Sequence, residues 1–479
     1  MIAMETEHQV KRRRLPVTVL MGTAVLVAGV AGVFASGAPD EAPPVPGPVG
    51  RAAAAVEAVG AGVPASPSDL TALIGDREAW LRGHPDDHST WAVLGSAYLE
   101  RGRWTADPAD FPRAEMALRH SLSVRPKANP DAVAGLAALA HARGDHRAAR
   151  KWGEEVRKRS PRRWTAYPAL IGAYRHLGDQ KAAAGAVKKL QALHPGPQAQ
   201  RLAAEVYRDR GWREDAAAAL SDATALADST AQKVTGLYGM GELAWERGEP
   251  DEALRHYEAA LRTDPGYARA RAGRARVMAA LARPADAEGD YLVALAQTPL
   301  PGIGLEYGEL LESLGREDEA KEQYALVRAR VALTEQRGGG GDELLLGQLD
   351  ADHGAPSAAV RRLRAEWKRH PNAYVADALA WSLFRAGGKK NTGEALKYAL
   401  TATDQGPRNA RFFYHLGMIE RKLGKSGAAR RHLEEALRIN PSFSPLPAAR
   451  AREELNALGE PPRGAPRRTP DEPAPPRAR

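Results

Sequence analysis

The chain of 479 residues contains no cysteine. That excludes disulfides, thiol nucleophiles and cysteine-ligated zinc or iron–sulfur centres. It is compatible with an oxidising, exported location and does not prove one. Only six Phe and six Ile occur, and aromatics make up 6% of the residues. This scarcity speaks against a β-rich architecture. An excess of one charge is also lacking. The 68 basic residues face 59 acidic ones in the same segments, leaving a dilute net charge of +9. A nucleic-acid footprint would cluster on one face or in one block, so no nucleic-acid partner is expected.

What is present is alanine in abundance, with Gly and Pro recurring at intervals. The length exceeds what one hydrophobic core usually organises. It suits either several domains or an array in which each unit touches only its neighbours.

The N-terminus carries a targeting pattern. A basic stretch, residues 1–14, ends in Lys11-Arg12-Arg13-Arg14, and Leu15 to Ala38 follow without a charge. A run of 24 uncharged residues can span a bilayer as a helix. The basic cluster orients the N-terminus to the cytoplasm and the rest outside. The segment reads as a single-pass plasma-membrane anchor. The alternative is a signal peptide cleaved after small residues at Val33-Phe34-Ala35 or Ala35-Ser36-Gly37, giving a secreted product. Residues 39–69 follow as a Pro/Ala-rich linker, suited to an extended spacer.

Internal periodicity decides the rest. Leu237, Met240, Gly241 and Ala244 are followed by Gly248, Ala253, Tyr257, Ala260 and Pro265. Phe413, Leu416 and Gly417 are followed at the same offsets by Gly424, Ala429, Leu433, Ala436 and Pro441. Small residues let paired helices approach, Tyr257 fills the gap between them, and proline ends the second helix. The same frame starts at Trp91, Val133, Tyr167, before Tyr207, and again beyond Pro265. In the first unit it needs an insertion at Arg103–Pro112.

These motifs resemble the tetratricopeptide repeat (TPR). The resemblance covers about four-fifths of the chain. It implies an all-α fold, a right-handed α-solenoid of about ten TPR-like helix hairpins, here behind an N-terminal hydrophobic helix. One array is expected over residues 70–337 and a second, with a capping helix, over 342–458. Gly338-Gly339-Gly340-Gly341 between them reads as a flexible hinge. Residues 459–479 form a Pro/Arg-rich tail. The Ala380–Phe443 block also resembles exported, membrane-anchored TPR proteins of high-GC bacteria.

Catalytic and metal patterns are missing. Gly424-Lys425-Ser426 lacks the first glycine of a phosphate loop and sits in a helical turn. His84 to His88 reads as a helix boundary rather than a metal site. No GxSxG or HExxH spacing occurs. No enzyme activity, cofactor or metal is expected. The resemblance implies binding of protein or peptide partners, with the membrane as a second contact through Leu15–Ala38.

In TPR proteins the concave wall comes from repeat positions 2, 5, 9, 12 and 13 of the first helix. Here this implies Tyr238 and Trp245 in the central repeat. In the ninth it gives Tyr374, Asp377, Trp381, Phe384 and Arg385, and in the tenth Tyr414, Met418, Arg421 and Lys422. Aromatics beside Arg suit a peptide-binding hot spot. The competing expectation is that Trp381 and Phe384 pack between adjacent helices.

Overall fold

The computed structural model describes residue 52 and residues 65–404 and 406–459. The anchor or signal segment, most of the linker and the C-terminal tail lie outside the described residues. Among the described residues there are 22 α-helices, one short 3-10 helix and no strands.

A lead helix, α1 (Pro67–Gly83), precedes ten hairpins. The first five are α2 (His88–Thr105) with α3 (Asp110–Val124), α4 (Pro130–Ala142) with α5 (His146–Arg159), α6 (Tyr167–His176) with α7 (Gln180–Leu193), α8 (Pro197–Asp209) with α9 (Arg213–Ala225), and α10 (Thr230–Glu246) with α11 (Pro250–Thr263). The next three are α12 (Ala268–Ala280) with α13 (Pro284–Gln297), α14 (Pro301–Ser313) with α15 (Glu317–Gln336), and α16 (Glu343–His353) with α17 (Pro356–Arg369). The last two are α18 (Ala373–Ala386) with α19 (Lys389–Asp404), and α20 (Ala410–Lys422) with α21 (Ser426–Ile439). A final helix, α22 (Pro445–Leu458), closes the stack. The molecule is an α-solenoid of TPR-like hairpins.

Local chemistry sets the boundaries. Asp87, Asn129, Asp145, Asp179, Ser229 and Asn372 cap helix N-termini by accepting from backbone N–H groups in the first turn, which satisfies donors that the helix leaves open. Asp87 therefore does the work of a helix cap inside the His84–His88 stretch. The turns inside hairpins need a left-handed residue, and Gly144, Gly178, Gly211, Gly248 and Gly315 supply it with φ of 73–77°. In the sixth hairpin Ala282 takes that place at φ 58°, at a steric cost glycine avoids.

The core is a series of hydrophobic clusters along the stack, the largest running from Val133 to Leu243. Tyr257 is fully buried. A Cβ on Gly241 would stand 2.6 Å from its ring, and one on Gly273 2.5 Å. Both glycines thus hold the ring between α10 and α12. Gly417 gives the same clearance to Leu433 in the tenth hairpin. In the first hairpin, part of the insertion lengthens α2 to Thr105, and Ala106 then turns the chain at φ 53°.

The solenoid winds until its second turn touches its first. Arg143 Nε donates to the Gly338 carbonyl at 2.8 Å. Asn372 Nδ2 donates to the His176 carbonyl at 2.8 Å. Arg213 donates to the Arg408 carbonyl at 2.7 Å, and Asn440 Nδ2 to the Trp245 carbonyl at 2.7 Å. These pairs lie 195 or 196 residues apart in sequence. They form a seam in a constant register. The carbonyl of His176 is an open acceptor at the end of α6, a need that helices create, and that of Trp245 takes the Asn440 bond beside one from the Gly248 N–H at 3.0 Å.

The four glycines at 338–341, expected as a flexible hinge, lie in this seam. Gly338 and Gly339 approach Pro112 and Pro108 so closely that a Cβ would stand about 2.9 Å and 3.0 Å from them, and a Cβ on Gly340 would collide with the Arg143 carbonyl. Arg337 pairs with Asp107 at 3.5 Å. The connection is packed against the first two hairpins instead of swinging free.

Candidate binding channel

The first helix of each hairpin turns one face inward. Across the first five hairpins these faces, with Pro301 of α14, Arg330 and Thr334 of α15 and Gly340, line a channel of about 1040 Å³. Its wall includes Ser96 and Glu100 of α2, Ala134 and Ala138 of α4, Pro168 of α6, Arg201 and Glu205 of α8, and Thr235, Tyr238 and Glu242 of α10. These are the repeat positions 2, 5, 9 and 13 of the sequence frame, laid side by side by the helical period.

Aromatic rings cross the channel. Trp104, near the end of α2, lies with its ring centroid 6.1 Å from that of Tyr267. Tyr238 meets Tyr267 edge-on at 5.6 Å. Arg103 and Arg269 stand exposed on the same wall. Thr165 Oγ1 and Gln198 Oε1 also line it. Both atoms are shielded from solvent and have no hydrogen-bond partner in the protein. An unpaired buried polar atom is costly, so these two atoms favour a polar ligand.

Half-buried charge pairs run along the inner wall. Arg276 donates to Glu242 at 2.7 Å and lies 3.6 Å from Glu306. Tyr257 donates its hydroxyl to Glu242 at 2.6 Å. Burial alone would push Arg276 down, but the Glu242 and Glu306 carboxylates outweigh it and hold the guanidinium well above its usual range. Burial likewise works to raise Glu242, yet Arg276 and the Tyr257 hydroxyl keep it below the ordinary glutamate value. Glu306 has less help, and burial pushes it up. Arg175 is held by Asp209 at 2.6 Å and by Glu205, and Arg208 by Glu246. The wall is dense in charge and nearly balanced in sign.

The positions expected to form a C-terminal groove divide. Tyr374 keeps 37% of its surface open and faces Asp209, Glu246, Arg208 and Arg175 of the first turn. Arg385 and Lys422 are exposed, while Phe384, Arg421 and Tyr238 are half-buried. Asp377, Trp381, Tyr414, Met418 and Trp245 are buried, so they do not offer a docking surface. Trp381 donates its indole N–H to Asp352 at 2.8 Å and stacks on His415 with centroids 4.2 Å apart. His415 Nδ1 lies 2.9 Å from Asp377. Arg421 pairs with Glu454 of α22 at 3.2 Å. The large side chains of α18 and α20 lie down on their neighbours, and this fills the face that was expected to be open. Of the eleven residues, only Tyr238 joins the channel described above.

Trp104, Tyr267, Arg103, Arg201 and Arg269 were not singled out from the sequence. The repeat frame applied to the fourth hairpin reaches Arg201. Trp104 stands at the edge of the first-hairpin insertion, and Tyr267 precedes α12, so neither falls on a frame position.

Comparison with known proteins agrees with the fold. Tetratricopeptide repeat models match residues 244–299 and 378–442, so the chain carries TPR repeats there, over α11–α13 and α18–α21. A search of curated proteins finds no significant match. Among solved structures, a TPR protein of Thermus thermophilus, TTC0263, is 24% identical, with 39% of this chain and 99% of that one covered and a TM-score of 0.35. Yeast Tom70 is 16% identical over 86% of this chain and 88% of its own, with a TM-score of 0.35. Human IFIT1, solved as a dimer with PPP-AAAA, is 16% identical over 70% and 78%, with a TM-score of 0.45.

Proposed function

We propose that the chain is a membrane-tethered scaffold that binds protein or peptide partners outside the cytoplasm, and that a partner segment lies in the channel of the first five hairpins. TPR repeats serve protein–protein interaction, and the chain carries them. The observation that carries the reading is the channel wall. It combines crossing aromatics, exposed arginines and two shielded polar atoms without protein partners. Aromatics and arginine are the side chains that dominate binding energy at interfaces. Catalysis is not part of this reading, since Glu242 on the wall is held by Arg276 and Tyr257 and Glu205 by Arg175.

The tether rests on Lys11–Arg14 followed by the uncharged Leu15–Ala38. The small residues at Ala35 to Gly37 support the alternative of a secreted product. Mass spectrometry of the mature N-terminus separates the two: a start near Ser36 or Ala38 removes the anchor. For the channel, a photo-crosslinking residue at Arg269 is compared with one at Lys189, which is exposed on α7. Partner adducts are expected from 269 and not from 189. The same adducts from both positions would sink the channel reading.

A further inference from the structure

Four histidine rings gather where the second turn meets the first. His141 ends α4 and His146 opens α5. His176 ends α6, and His370 follows α17 in the second turn. His146 stacks on His176 with centroids 4.0 Å apart and meets His370 edge-on at 4.8 Å. His141 Nδ1 lies 3.2 Å from His146 Nδ1. Two bonds between the turns flank the rings: Arg147 donates to the Lys368 carbonyl at 2.6 Å, and Asn372 of the seam to that of His176 at 2.8 Å.

Elsewhere, inward-facing histidines have a carboxylate. His415 pairs with Asp377 at 2.9 Å, His353 with Glu312 at 2.9 Å and His432 with Glu420 at 2.6 Å. His370 has Glu366 at 2.5 Å. His141, His146 and His176 form no such ion pair. The charged groups facing them are Arg103 of α2, Arg175 of α6, Glu205 and Asp209 of α8, and Glu366 and Arg369 of α17. Arg175 already engages Glu205 and Asp209, and Arg369 and His370 already engage Glu366. A proton added to the buried His146 ring meets the imidazoles of His176, His141 and His370, with no carboxylate to balance it.

We propose that this histidine cluster is an acid-sensitive latch: uncharged, it lets the two turns close on each other, and protonation parts them. Burial, then the neighbouring His176 and Arg103, push His141 down to about 3. Burial and the adjoining imidazoles push His146, 7% exposed, down to about 2, whereas His176 is exposed and already meets water. Once parted from the second turn and wetted, His146 titrates near 6.5. The closed form thus binds fewer protons than the open one between those values. Its stability is complete above about pH 6.5 and falls as the pH drops below it. His146, the ring of the three that meets His370 of the second turn, shifts the opening equilibrium by about tenfold per pH unit. The latch does not depend on what the channel binds.

The absence of cysteine makes the test direct. Spin labels on Arg150→Cys and Lys368→Cys, both exposed positions flanking the seam, report the inter-turn distance in the full chain. The distance is expected to hold from pH 8 to about 6.5 and then to lengthen while the helical circular-dichroism signal persists. In the double variant His146→Phe, His176→Phe, which keeps aromatic rings but cannot charge, the transition should flatten and move to lower pH. The idea is overturned if the parent distance stays constant down to about pH 4.5, or changes only together with loss of helix. Opening of the Phe variant with the parent's midpoint and steepness also overturns it. Should that variant not fold, the labelled parent alone still decides.

Discussion

The side-chain amide of Asn440 donates to the Trp245 carbonyl at 2.7 Å across 195 residues of chain. The asparagine is 3% exposed, and the same carbonyl also accepts from the Gly248 N–H at 3.0 Å. Asn440→Ala should lower stability by about 0.5–1.5 kcal/mol, the net worth of one hydrogen bond. Urea unfolding followed by circular dichroism measures it. A change within error would mean that the seam is a passive contact.

Ala282 holds a left-handed turn with φ 58° where most hairpins use glycine. Ala282→Gly should stabilise the sixth hairpin by about 1 kcal/mol, the strain that an L-residue bears in that region. Gly315→Ala, at φ 75° in the next hairpin, should destabilise by a similar amount. Thermal melts of both variants test the pair, and equal signs would refute the argument.

Two glycines should respond in opposite directions. A Cβ at Gly340 collides with the Arg143 carbonyl, whereas one at Gly289 meets nothing within 4 Å. Gly289→Ala, inside α13, should gain about 0.5–1 kcal/mol of helix propensity. Gly340→Ala should weaken the contact between turns. Limited proteolysis between α15 and α16 is the readout, and faster cutting is expected only in the 340 variant.

Trp381 was a candidate for partner contact and is 7% exposed. Trp381→Ala should cost about 3–5 kcal/mol through the cavity left in the core. The falsifying result is a variant as stable as the parent with altered partner binding, since that is what an open groove residue would give.

The repeat frame was legible because each hairpin repeats one packing problem. Gly241, Tyr257 and Gly273 show the solution plainly, and any chain that solves it ten times advertises the period. The inward positions of α8 and α10 were equally legible, since helical geometry alone puts Arg201, Glu205, Tyr238 and Glu242 on one side. The burial of Trp381 and Tyr414 was not. Whether a concave side chain stands open or lies on the next helix depends on how tightly the superhelix curls, and no single repeat encodes that curl. The same limit hid the packing of Gly338–Gly341. Four glycines signal the end of a helix, but their neighbours, Pro108, Pro112 and Arg143, stand two hundred residues away. The histidine cluster escaped for the same reason, because His370 joins the other three only after a full turn.

The constant offset of the seam, 195 or 196 residues, carries a consequence for how such a molecule can change over time. With a unit of about 34 residues, one turn holds about 5.7 units. An open array tolerates unequal recombination, because a gained or lost unit leaves every neighbour contact intact. Here the duplication or loss of one unit between Trp245 and Gly338, the stretch that all four bonds span, would bring a different residue opposite each donor at once. Copy number is thereby fixed by bonds that no unit contains within itself.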